Sequence, residues 1–153
     1  MPGMRRIMLA GVLATLIAAP LFAAAQDAVN TRGAGLRQLG TAFKNVNDEL
    51  KSSTPQPMIL QLSARQIRDA AKAQYGWFPA GSGPQEGVKT RAKPEIWTQA
   101  AQFRAAQDAF AAQAAAFMKV AATGDAEAMR VQAKQLGQAC GACHHQFRVD
   151  DRN

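Results

Sequence analysis

Apolar residues recur at alternating steps of four and three along four stretches of this chain, a rhythm that predicts amphipathic helices. From about Ala28 to Lys51 the seam is Val29, Gly33, Leu36, Gly40, Phe43, Asn47 and Leu50. From about Met58 to Gln74 it is Ile59, Leu62, Gln66, Ala70 and Ala73. A third helix is expected from Pro94, a residue suited to a first turn, to about Ala122, with Ile96, Phe103, Phe110 and Phe117 seven apart. The fourth follows Asp125, a good N-cap, and carries Met129, Ala133, Leu136, Cys140, Cys143 and Phe147. Ser52 to Pro57 ends the first helix because proline cannot continue one, and Thr123-Gly124 makes a short break. Gly76 to Lys93 is the one long irregular stretch, rich in Gly and Pro. No segment alternates with period two. The expected fold is all-α, an antiparallel (up-down-up-down) four-helix bundle.

Glycines within the seams call for a reason, since each costs about 1 kcal/mol of helix propensity relative to alanine. Gly33 and Gly40 on the first helix, and Gly137 and Gly141 on the fourth, fit close approach to a flat cofactor or close packing between helices. The spacing leaves both readings open.

Ahead of the bundle stands Arg5-Arg6, an apolar run from Ile7 to Ala19, then Pro20 and Ala23-Ala24-Ala25. Basic start, short apolar run and small-residue end read as a secretory signal peptide over residues 1–25, cut before Gln26. The run is too short for a mature membrane anchor, and no second stretch of membrane length follows. Residues 26–153 are then one exported domain. Loss of Arg5 and Arg6 lowers the formal charge from +7 to +5. Lys44, Lys51, Arg65, Arg104 and Lys134 form no run, which argues against a nucleic-acid partner.

Candidate chemistry concentrates in Cys140-Gly141-Ala142-Cys143-His144, which holds both cysteines and one of two histidines. Two thiols three apart followed by an imidazole is the attachment pattern for a c-type haem, one per chain. Each thiol adds across a vinyl group, and the histidine takes an axial position on the iron. On a helix the three side chains share one face. A thioredoxin-like pair would open a helix after a strand, and none precedes it. A zinc site needs four ligands that Cys140, Cys143, His144 and His145 are too crowded to supply. A structural disulfide stays open.

His144 falls near the end of helix four, so the cofactor belongs at the bundle end that also gathers Arg32, Leu36, Trp77, Phe78, Trp97 and Phe147. His145 is about 100° around the helix from His144, a surface position. Met58, Met118 and Met129 fall at the far end and read as apolar filler. The iron is thus expected to be five-coordinate and high-spin, with an apolar distal pocket. Such a pocket suits small neutral gases and offers no acid–base group for peroxide.

In these features the chain resembles the cytochromes c′. The likeness rests on Arg32 four before Leu36, Trp77-Phe78-Pro79-Ala80-Gly81, Lys93-Pro94-Glu95-Ile96-Trp97 and Ala122-Thr123-Gly124-Asp125. It extends through Gly137 and the run from Cys140 to Arg148. The resemblance implies thioethers at Cys140 and Cys143, His144 as axial ligand, and Arg32 on a haem propionate. It also implies Leu36 in the distal pocket and Arg148 on the proximal side. Low-spin relatives carry a methionine where Leu36 stands. The implied roles are binding of NO and CO, or electron transfer with periplasmic redox proteins. A low-spin carrier and a peroxidase-like enzyme are the alternatives. Pairing through the first two helices, giving a homodimer, is also implied.

Overall fold

The computed structural model describes residues 18–85 and 88–150, so most of the expected export segment lies outside the described residues. Its helices are α1 (Ala18–Lys51), α2 (Pro57–Ala73), α3 (Glu95–Thr98), α4 (Ala100–Thr123) and α5 (Ala126–Phe147), with a 3-10 turn over Gln74–Gly76. α1 starts ten residues before the expected position and runs through the expected cleavage point. Pro57 sits in the first turn of α2, where its missing N–H costs nothing. Asp125 caps α5 as expected, its side chain accepting from the backbone N–H of Glu127 and Ala128, each at 3.0 Å. Gly124, at φ 76°, closes α4 in the left-handed conformation that favours glycine.

Two expectations are corrected. The third helix is two helices: the backbone breaks at Gln99 (φ −120°, ψ 48°), although no Gly or Pro lies there. The seam of α2 is displaced by one residue. Its buried face is Leu60, Ser63, Ala64, Ile67 and Ala71, while Ile59 and Leu62 are exposed. The two sets share one periodicity, but the expected one would bury the Gln66 amide, and the observed one puts Ile67 at that step instead.

α1 packs along α2, α2 along α4 and α4 along α5, whereas α1 and α5 meet only sparsely. Alternating direction along that order makes the up-down-up-down bundle. The far end is solid: Val46 and Leu50 meet Leu60, Ile67, Phe117, Met129 and Leu136, all buried. There the Arg130 Nε–H donates to the Leu50 carbonyl at 3.0 Å, tying α5 to the end of α1. Met118 and Met129 fill that core, but Met58 does not; it is 79 % exposed. At the other end a smaller cluster of Ile96, Phe103 and Phe147 holds α3, α4 and α5 together. No described helix is long and apolar enough to cross a membrane.

Candidate functional site

The sparse α1–α5 seam opens into a cavity of about 1080 Å³ at the end away from the solid core. All six residues singled out in the sequence line it: Arg32 and Leu36 from α1, Cys140, Cys143 and His144 from α5, and Arg148 just beyond. The walls are mainly apolar, with Val29 and Leu36 on one helix and Phe103, Phe110 and Phe147 on others. Phe78, Phe103 and Phe147 stack edge to face, with centroids 4.9 and 5.0 Å apart, and stiffen the floor.

Both cysteines are free thiols. Burial, then Cys143, pushes the Cys140 thiol up to about 11, and burial raises Cys143 as well. Both stay protonated at neutral pH, the S–H form that a vinyl addition consumes. His144 is held below its ordinary value by burial first, then by the charges of Arg148 and Arg91. Its imidazole is therefore neutral, with a ring nitrogen lone pair available to a metal. His145 is exposed, as expected, and its carbonyl accepts from Lys93 Nζ at 3.2 Å.

Arg32 is 3 % exposed although it is a cation. Its guanidinium donates to Ser82 Oγ at 2.9 Å, to the Ser82 carbonyl at 2.8 Å and to Thr90 Oγ1 at 2.6 Å. The rings of Phe78 and Trp97 flank it, 5.3 and 5.9 Å away. Burial lowers its pKa, but guanidinium stays charged. Arg32 thus pins the loop after α2 against α1 while lining the cavity. A buried cation beside an apolar hollow fits a ligand that brings carboxylates with it.

Trp77 and Trp97 stand at this end but do not line the cavity. Trp77 lies against Gly35, where an added Cβ would come within 2.3 Å of its ring. The indole N–H of Trp97 donates to the Pro79 carbonyl at 3.1 Å, and its ring covers Gly83. The seam glycines divide. A Cβ at Gly137 would meet the Phe43 ring at 3.3 Å, so that glycine serves packing. A Cβ at Gly40, on the cavity wall, would meet open space.

α5 ends at Phe147, and Arg148 is its C-cap, extended in backbone (φ −122°, ψ 137°) with its N–H closing the last turn on the His144 carbonyl. It bridges Ala92 in an antiparallel pair, the Val149 N–H donating to the Arg91 carbonyl at 2.9 Å and the Lys93 N–H to the Phe147 carbonyl at 3.0 Å. That pairing brings Arg91 to the cavity. Arg91, Ser82 and Thr90 were missed in the sequence, because nothing in a Gly- and Pro-rich loop marks which residues fold back.

The donors fit a haem c: two free thiols and a neutral imidazole on one helix face, apolar walls, and a buried cation. Among the described residues lining the cavity, His144 is the one histidine and there is no methionine.

Comparison with known proteins agrees with this geometry. The family model for cytochrome C′ matches residues 27–148. The cytochrome c′ of Alcaligenes xylosoxydans xylosoxydans is 29% identical over 127 residues, 83% of this chain and 97% of that protein. The crystal structure of cytochrome c′ from Thermochromatium tepidum superposes with a TM-score of 0.77 at 26% identity, over 82% of this chain and 97% of the other. A further cytochrome c′, noted for ligand-controlled dimer dissociation, gives the same four figures.

Proposed function

Since the chain belongs to the cytochrome c′ family, whose cofactor is a covalently attached haem c, we propose that it binds NO and CO in the periplasm at an iron held by His144 alone. The observation that carries this reading is Leu36. It stands on the cavity wall where low-spin relatives carry a methionine, and no second ligand donor of the histidine or methionine type joins it among the described lining residues. The bound haem supplies an iron that exchanges one electron and takes an axial ligand.

The chain's own residues then divide the work. Cys140 and Cys143 fix the ring covalently, and His144 presents its neutral nitrogen. Arg32 meets a propionate, with Ser82 and Thr90 holding the guanidinium in place. Leu36 and Val29 make a wall that rewards no polar ligand and admits a small neutral one. Arg148 adds positive charge beside His144. Residues 1–25 serve export and are removed before Gln26, leaving residues 26–153 as the working domain.

A second reading, electron exchange with a periplasmic redox protein, is favoured by a specific feature of the rim. Arg37, Lys89, Arg91 and Arg148 line the cavity with Arg32, and no described lining residue is acidic. Such a mouth speeds encounter with an acidic surface. Spectra of oxidised and reduced protein, alone and with NO or CO, separate the readings. Five-coordinate high-spin iron that takes up both gases is expected; a six-coordinate low-spin ferrous spectrum would overturn the gas-binding reading in favour of the carrier. Colour that survives acid–acetone treatment of the denatured protein checks the thioethers.

A further inference from the structure

The loop that Arg32 pins to α1 is also stitched to the end of α5, and the stitch delivers a second arginine to the cavity. Ala92 and Arg148 pair across one antiparallel bridge, Arg91 being the neighbour of Ala92, and both arginines line the cavity alongside His144. The hydrogen bonds of that bridge are made by backbone atoms: the Arg91 carbonyl accepts from Val149, and the Phe147 carbonyl from Lys93. Arg148 emerges four residues after His144, and its backbone N–H donates to the His144 carbonyl at 3.0 Å. The two cations are thus positioned by one short element whose other job is to end α5.

We propose that Arg91 acts with Arg148 as a paired cationic clamp that biases the haem iron toward its reduced state. Losing one electron adds one positive charge inside a largely apolar cavity, and each nearby fixed cation disfavours that form. The inference rests on the reading of His144 as axial ligand, and it assigns Arg91 a positioning role in the electrostatics of the site. Nothing in the linear sequence couples Arg91 to Arg148.

The test is spectroelectrochemical titration of the haem-loaded protein. Arg91→Gln is expected to lower the ratio of reduced to oxidised protein at a fixed applied potential by about three- to tenfold. Arg91→Lys, which keeps the charge, restores the ratio, and Arg91→Glu lowers it further. The effect shrinks as salt is raised, because Arg91 is exposed. A purely structural role would leave lysine no better than glutamine. An unchanged ratio in Arg91→Gln, with a lowered one in Arg148→Gln, overturns the proposal while leaving the axial reading intact. An unaltered spectrum in His144→Ala removes the axial reading, and the proposal with it.

Discussion

Gly35 and Gly40 sit five residues apart on α1 and meet opposite surroundings. A methyl group at Gly35 would enter the Trp77 ring, whereas one at Gly40 would meet open space. Gly35→Ala is therefore expected to destabilise the fold by about 1–3 kcal/mol, the range for overpacking, in denaturant titration. A neutral result would mean that Trp77 moves aside without loss. Leu36, between the two, is 41 % exposed and faces the cavity. Leu36→Ala should accordingly cost much less than the roughly 2–5 kcal/mol of a buried leucine. Its effect belongs to binding: faster CO and NO association, and entry of larger ligands, in stopped-flow measurements on the loaded protein. Leu36→Met places a thioether on the wall and is expected to give a low-spin spectrum. Rates unchanged in Leu36→Ala would move the entry barrier elsewhere.

Among elements, α5 was the most legible. Its N-cap, its core face of Met129, Ala133 and Leu136, and the cavity face of Cys140, Cys143 and His144 all stand where the spacing puts them. The reason is redundancy: capping residue, glycine stop and periodicity agree. Asp125→Ala should cost about 1 kcal/mol, read as a lower melting temperature, because two backbone N–H groups lose their acceptor. Asp125 lies at the far end, so the haem spectrum should not change; a changed spectrum would couple the cap to the site. α2 was less legible. Ile59 and Leu62 compete with Leu60 and Ile67 for the same face, and periodicity alone does not rank them. The break at Gln99 left no trace at all, since neither neighbour is a helix breaker. It separates α3, which carries Ile96 and Trp97 at the loop, from α4, whose phenylalanines continue into the main core.

At the scale of the molecule, the cavity was readable because Cys140, Cys143 and His144 fall within one short stretch of α5 and the bundle topology decides which ends meet. The loop that closes it was not, because Ser82 and Thr90 lie 50 and 58 residues from Arg32 and meet it only on folding. The outer face of α2 carries the consequence of its displaced seam, with Met58, Ile59 and Leu62 all exposed. A second copy of the chain is the occupant expected there, and Leu62→Glu should shift sedimentation toward the monomer; a wild-type monomer at high concentration would rule that out. The last expectation follows from the uneven core. The far end packs on itself, while the site end encloses a cavity of about 1080 Å³ that protein atoms do not fill. Filling it removes apolar wall from water, each Å² contributing roughly 25 cal/mol. The haem-free protein should therefore melt at a lower temperature than the loaded one. In hydrogen exchange its amides near Val29, Leu36 and Cys140 should open first, while those near Val46, Leu60 and Phe117 hold to global unfolding. Equal melting temperatures with uniform exchange along α1 and α5 would show that the bundle closes that end without its cofactor.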